Sequence, residues 1–250
     1  MRRRHRNGQS GQAAVEAALT LPLVIFIILG TLQLFLMFQA RILAQYAAFR
    51  ATRAGSVGFG NCERMTHAAV VALLPTFDSF LAPSKPGATR ADKLAMAFAP
   101  RKNNRFSAAL DSGHDGSIVW VIREHPTSGE AGSPQEKDFD EPRSIGDVRR
   151  LEVRLVFWYP MRIPFANWVM SRMFLAHLGL QDYTGANPTM PVDKKPITAE
   201  GPSVTLSTDV RAELMSRISR NQYSWPIETS FTMRMMTPSV RAYFATPRCP

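Results

Sequence analysis

Residues that carry enzyme chemistry are scarce in this sequence, and the patterns that would organise them are missing. Its 250 residues include only two cysteines, Cys62 and Cys249, and five histidines. No HExxH, CxxC or glycine-rich phosphate-binding pattern occurs, so the signatures of zinc proteases, thiol oxidoreductases and nucleotide-dependent enzymes are absent. His67 follows Cys62 by five residues, but two such residues do not make a zinc site. We therefore predict no cofactor, no metal and no small-molecule substrate.

A histidine-dependent hydrolase is the one enzymatic alternative that the residues leave open. His114 and Asp115 lie together in a glycine-containing stretch, and His125 follows an apolar segment. A serine hydrolase would also need a nucleophile on a sharp turn of the GxSxG type, and the sequence has none. We predict that the protein is not an enzyme. An anchored hydrolase that uses His114 or His125 is the less favoured alternative.

Acidic residues are nearly absent from the N-terminal quarter of the chain. Residues 1–62 contain seven arginines against a single acid, Glu16, whereas the remainder is closer to balance. The formal net charge of +10 therefore reflects one region more than a basic face of the kind that binds nucleic acid. A short basic run at 101–105 has no adjacent aromatic residue except Phe106, so we expect a solvated loop there. The sequence predicts no nucleic-acid partner.

Only one apolar run is long enough to cross a membrane. Residues 17–38 are apolar except for Thr20, Thr31 and Gln33. A run of about 20 residues spans a hydrocarbon core of about 30 Å as a helix. This run exceeds the roughly 7–15 apolar residues of a cleavable signal peptide, and no small-x-small cleavage site follows it. We predict a transmembrane helix over residues 12–38 that is not removed as a signal peptide.

The basic leader before this helix predicts its orientation. Residues 1–11 carry four arginines, and basic flanks of a first helix favour the cytoplasmic side. The leader is therefore predicted to be cytoplasmic and residues 39–250 to form an extracytoplasmic domain. With one spanning run, the topology is single-pass.

Glu16 is the residue of the anchor that most needs an explanation. A carboxylate at the edge of a membrane segment is costly unless it is paired, although it is solvated and favourable if it lies among the headgroups at a helix N-terminus. Cleavage after Gly11 would create a new amino group on Gln12 and make Glu16 the fifth residue of the product. An ammonium on one subunit and the carboxylate on a neighbour would then neutralise each other.

This opening resembles a known family. The residues that carry the resemblance are the leader end GQSG at 8–11, the stretch QAAVE at 12–16 and the early LTLP at 19–22. Together they resemble the TadE-like pseudopilins of tight-adherence (Flp, type IVb) pilus systems. The resemblance covers about residues 6–54.

The resemblance implies a function in pilus assembly or an associated secretion process. It implies cleavage by a prepilin peptidase at Gly11–Gln12, with Glu16 as the registry charge, and single-pass anchoring in a bacterial inner membrane. It also implies that other pilin-like subunits and a pilus assembly platform are partners, with the soluble domain in the periplasm. An uncleaved membrane-anchored scaffold or binding protein is the main alternative.

The anchor helix is predicted to continue beyond the membrane as a spine. Ile42, Tyr46, Phe49 and Arg53 repeat at helical spacing, and we expect this stripe to face the soluble domain. Intervening alanines raise helix propensity up to about residue 54. Glycines at 55, 58 and 60 are expected to end the helix.

The remaining pattern predicts an α+β fold in which this spine packs on a small antiparallel sheet with extra helices. Strands are predicted at 117–123, which is rich in β-branched and aromatic residues, and at 148–159 and 227–236, where side chains of two kinds alternate. Helices are predicted at 62–74 after Asn61, at 90–99 with a Thr89–Asp92 capping box, and at 207–220 with Ser207 as cap. Residues 163–180 suit a buried helix or one lying on the membrane face.

Two polar stretches and the cysteine pair complete the prediction. Residues 124–147 contain seven acids and are expected to be a mobile loop, and residues 181–202 form a Pro/Gly linker. An exported domain permits a disulfide between Cys62 and Cys249, and the resemblance to pilins favours one. Free or intermolecular cysteines remain an open alternative.

Overall fold

The computed structural model describes residues 10–77, 89–131, 150–177 and 206–249. Three short 3-10 turns follow α2, α3 and β3 at Leu74–Thr76, Ala99–Arg101 and Arg241–Phe244. In chain order, the helices and strands are α1 (Ser10–Val57), α2 (Cys62–Leu73), α3 (Arg90–Phe98), β1 (Val119–His125), β2 (Arg150–Pro160), α4 (Ala166–His177), α5 (Thr208–Ser219) and β3 (Ser224–Arg234).

These elements confirm the predicted α+β fold. The described residues divide into two compact units: those within 1–36 and 161–205 form one, and those within 37–160 and 206–250 form the other. The first unit contains the apolar part of α1 together with α4. The second contains the remainder of α1, the sheet and the other helices.

The sheet is antiparallel with the order β1-β2-β3. Its central strand, β2, places Leu151, Val153 and Leu155 on one buried face, and Arg154 lies on the other. Cross-strand partners keep this alternation, since Leu155 lies opposite Val121 in β1 and Thr229 in β3. The period-two pattern therefore located β2 and β3, and β-branched and aromatic enrichment located β1, with boundaries displaced by one to three residues.

The predicted loop at 124–147 begins too early. Its first two residues, Glu124 and His125, belong to β1, and residues 126–131 form bends and turns. Glu124 is held in the strand by Arg154 of β2, whose Nε lies 2.8 Å from Glu124 Oε1. Residues 132–147 of that loop and the predicted linker at 181–202 lie outside the described residues.

Helix α1 packs on the sheet mainly through its alanines, so the predicted stripe is the packed face only in part: Phe49 meets Phe231 of β3 edge to face at 5.3 Å. Five alanines are almost completely buried, while Ile42 and Tyr46 are 51% and 46% exposed. The alanine face allows close approach: a Cβ on Gly55 would lie only 2.7 Å from Leu151 Cδ2. Large side chains on that face would hold the helix away from the sheet. The buried alanines are Ala40, Ala44, Ala47, Ala48 and Ala51.

Polar contacts fix the register of α1 against β3. Ser56 Oγ donates to the carbonyl of Arg234 at 2.6 Å, and Ser56 O accepts from Met236 N at 3.0 Å. Nearer the start of the helix, Thr229 Oγ1 donates to Ala44 O at 3.3 Å. Gly55 lies inside α1, which ends at Val57 and turns through Gly60, whose φ of +81° favours glycine.

The helix caps agree with the sequence in two of three cases. Asn61 Oδ1 accepts from Arg64 N at 3.1 Å, and Thr89 and Asp92 form the complete capping box. The hydrogen bonds from Thr89 lower the pKa of the Asp92 carboxyl. Ser207 occupies the N-cap position of α5, but its side chain makes no capping hydrogen bond.

The basic run at 101–105 is not the solvated loop that was predicted. Arg101 is buried and donates from Nη2 to Asp111 Oδ1 at 2.6 Å. The Asp111 carboxylate also accepts from Ser107 N. Asn104 is buried as well, exchanging two hydrogen bonds with the backbone of Val119. Lys102 is exposed, as expected. Arg101 and Asn104 are buried because their partners, Asp111 and Val119, lie outside the run.

Cys62 and Cys249 form a disulfide with a Cα–Cα distance of 5.2 Å. The segment before Cys249 pairs with the edge of β1, where Arg123 N donates to Pro247 O at 2.8 Å and Cys249 N to Val121 O at 2.9 Å. The Arg123 side chain supports the same segment by donating to the carbonyls of Tyr243 and Thr246. Burial lowers the pKa of Arg123 to about 10, so the guanidinium stays charged at neutral pH.

We expect the disulfide to be present in the native protein and to stabilise it. Labelling of the unreduced chain should find no free thiol. Replacing both cysteines by serine should lower the free energy of unfolding by about 2–5 kcal/mol, because the bridge restricts the unfolded chain over a separation of 187 residues. Recovery of two labelled thiols from unreduced protein would contradict the bridge.

Ala48→Leu tests the packing of the alanine face. Ala48 is fully buried, so the larger side chain should overpack the contact with the sheet and cost about 1–3 kcal/mol in denaturant unfolding of the full chain in detergent. Gln45→Leu is the matched control, because Gln45 is exposed on the same helix. Equal stability of both variants would show that the alanine face is not the buried one.

Candidate membrane anchor and processing segment

The N-terminal half of α1 is mostly apolar, and most of its side chains are not covered by the other described residues. It is the one described helix that is long and apolar enough to cross a membrane, and 6% of its most apolar window is buried. Leu19 and Phe35 are 73% and 67% exposed. A core helix of a soluble protein would be covered instead, so this exposure indicates that lipid surrounds the helix. The chain is therefore a single-pass membrane protein.

The two threonines of the apolar run donate their hydroxyl hydrogen bonds to the preceding turn of the helix. Thr20 Oγ1 donates to Glu16 O at 2.8 Å, and Thr31 Oγ1 donates to Ile27 O. Pro22 lies inside the helix and removes one backbone donor, which spanning helices tolerate. Hydroxyls that bond to the preceding turn leave no open donor toward lipid.

The three residues predicted for processing lie on this helix. Gly11 and Gln12 belong to the first turns of α1, and Glu16 is exposed one turn after Gln12. The rise of about 1.5 Å per residue separates Gln12 and Glu16 by about 6 Å along the axis. This spacing would put a new amino group at Gln12 and the carboxylate of Glu16 at neighbouring levels of the helix.

Gln33, which the sequence analysis treated only as a polar interruption, has a structural role. Its side chain is fully buried, and Oε1 accepts from the backbone N of Ile163 at 3.0 Å. Seven residues earlier on the same helix, the ring of Phe26 meets Phe165 edge to face at 5.8 Å. A lone glutamine in an apolar run is the signal that could have predicted a packed neighbour.

The histidines proposed for a hydrolase are used in packing and ion pairs. His114 is buried, and its Nδ1 contacts Asp111 O at 2.9 Å. Asp115 is not directed at His114 but accepts from Gln222 Nε2 at 2.7 Å and from Arg220 Nη1 at 2.6 Å, and the hydrogen bond from Gln222 is the main cause of its lowered pKa. His125 Nδ1 lies 3.4 Å from Glu130 Oε2 at the surface. The structure thus does not assemble the histidines into one site.

A groove of about 590 Å³ lies beside β1, between the start of α5 and residues 244–248. Several of its charged wall residues have partners: Arg154 pairs with Glu124 and Glu228, and Arg248 stacks on Trp120 at 4.6 Å. No group of three potential metal-binding side chains occurs among the described residues. The groove therefore offers no assembled catalytic set.

Comparison with known proteins identifies the anchor segment. The family model described as TadE-like protein matches residues 11–53. No curated protein and no solved structure shows a significant match to the chain. The match begins at the predicted cleavage position and includes both the apolar part of α1 and most of its alanine face. The chain therefore carries a TadE-like segment at residues 11–53, as its N-terminal motif predicted.

Proposed function

We propose that this protein is a membrane-anchored, minor pseudopilin-like component of tight-adherence (Flp, type IVb) pilus assembly or associated secretion. One observation carries the proposal: the TadE-like match at residues 11–53 coincides with a helix whose apolar side chains are exposed. Such a helix is suited to lateral packing with similar helices in a bilayer. The protein acts by assembly and not by chemistry.

In this proposal a prepilin peptidase cleaves between Gly11 and Gln12 on the cytoplasmic side of the inner membrane. The freed amino group of Gln12 then pairs with Glu16 of a neighbouring pilin-like subunit. A charge at membrane depth costs about 2.5–3.5 kcal/mol on insertion scales, so an intersubunit pair would favour one axial register over others. The assembly platform would supply the remaining contacts.

The main alternative is an uncleaved scaffold or binding protein held at the membrane by the same helix. It keeps every structural feature of the anchor and differs only in the state of the Gly11–Gln12 bond. An anchored hydrolase is less favoured, because His114 and His125 have separate packing and surface contacts.

The proposal places residues 1–11 in the cytoplasm and the domain from residue 39 onward in the periplasm. Protease added to intact spheroplasts should therefore degrade the domain and leave a fragment containing the leader and the anchor. Protection of the domain until detergent is added would contradict this orientation.

The processing step is tested on the membrane-extracted protein by mass spectrometry of its N-terminus. We expect the wild-type chain to begin at Gln12, and Gly11→Leu to block cleavage because the larger side chain crowds the scissile bond. Glu16→Gln should still insert in the membrane but fail to restore piliation in a strain lacking the gene, since it removes the charge with little change in size.

Glu63→Gln is the matched control for the charge change, because Glu63 is exposed on α2 and outside the matched segment. It should restore piliation fully. If wild-type protein retains residues 1–11, the uncleaved scaffold becomes the better description. If Glu16→Gln supports normal piliation, the registry role of Glu16 is wrong.

A further inference from the structure

The residues just before α4 contact α1 within the part of α1 that crosses the membrane. Ile163 N donates to Gln33 Oε1, and the ring of Phe165 meets Phe26 edge to face. Both belong to one compact unit of the structure. They fix the level on α1 at which the start of α4 lies.

That level is inside the hydrocarbon core. At about 1.5 Å per residue, Phe26 lies about 14 Å from the start of the apolar run at residue 17, which is near the middle of a core about 30 Å thick. Gln33 lies about 8 Å before the end of the run at residue 38. Residues 163–165 therefore lie in the half of the bilayer that contains Gln33.

The backbone of the segment before α4 receives an acceptor at this contact, as a medium without water requires, while Gln33 Nε2 is buried with no hydrogen-bond partner among the described residues. An unsatisfied backbone N–H in hydrocarbon is strongly unfavourable, and the first N–H groups of a helix have no acceptor within that helix. Gln33 supplies an acceptor for Ile163 just before α4 begins. The Asn167 side chain is satisfied locally, with Oδ1 accepting from Trp168 N at 2.7 Å and Nδ2 donating to Met161 O.

The opposite side of α4 is apolar and uncovered. Ala166, Ser171 and Leu175 are buried, whereas Phe165, Trp168 and Met173 are between 48% and 65% exposed. Arg172 is also exposed, and a long arginine side chain in this half of the bilayer can extend its guanidinium to the headgroups.

We propose that α4 is a second membrane-embedded element, which enters one leaflet without crossing it and presents Phe165, Trp168 and Met173 to the acyl chains. Lipid is the proposed neighbour of this face because Ile163 and Phe165, just before α4, contact α1 at the depth of the acyl chains. The inference rests on α1 as a spanning helix and is independent of any function in pilus assembly, so it can fail while that function holds.

Quenching of tryptophan fluorescence by brominated lipid tests this proposal. The full chain is reconstituted in phosphatidylcholine vesicles whose acyl chains carry bromine, with unbrominated vesicles as reference. Bromine quenches an indole that it contacts, so Trp168→Phe should remove more than half of the lipid-dependent quenching. Trp225→Phe is the matched control, because Trp225 is half-buried within strand β3, and it should leave the quenching unchanged.

If Trp168→Phe leaves the quenching unchanged, Trp168 does not contact acyl chains and the proposal is overturned. Coverage of this face by a second copy of the chain would give that result. Gln33→Leu provides a second variant of the same test, with Gln39→Leu as control because Gln39 is exposed on α1. Gln33→Leu should accelerate hydrogen exchange of the backbone amides at 163–170, and equal exchange in the two variants would also overturn the embedded arrangement.

Discussion

Close approach between α1 and the sheet is the interaction on which the soluble unit depends. Alanines at 40, 44, 47, 48 and 51 remove the bulk that would separate the helix from β2 and β3, and Gly55 leaves no room for even a Cβ. Small residues gain little hydrophobic free energy individually, but they let backbone and hydroxyl groups pair across the interface. Ser56 and Thr229 use that proximity to fix the register.

The same helix meets two different solvents. Its first part exposes leucine, isoleucine and phenylalanine over most of its surface, which suits lipid, where a helix satisfies its backbone polar groups internally. Its second part carries a narrow small-residue face and polar or aromatic residues opposite. The change in surface chemistry along one continuous helix thus separates the anchor from the packed spine without a break in secondary structure.

Three buried guanidinium groups connect segments that are distant in sequence. Arg101 pairs with Asp111, Arg123 donates to backbone carbonyls around residue 245, and Arg217 bonds to Glu213 and Ser117 O while it stacks on Trp158 at 4.6 Å. Burial lowers the pKa of Arg217 by disfavouring its charged form, although the charge and hydrogen bonds of Glu213 oppose this. A buried cation without such partners would be strongly destabilising, so these arginines specify one arrangement of the loops.

Local patterns in the sequence determined the anchor, the three strands, the caps at Asn61 and Thr89, and the TadE-like segment, because apolar length, alternation and capping depend on neighbouring residues. The face of α1 that packs, the burial of Arg101 and the docking of α4 at Gln33 were decided by the tertiary structure. Ile42 and Tyr46 form the more hydrophobic stripe, yet the alanines are buried, since the available space beside the sheet accepts only small side chains. Each of these outcomes depends on a partner outside the local pattern, 10 residues away for Arg101, 130 for Gln33 and 185 for Ala44, and no local periodicity contains that information.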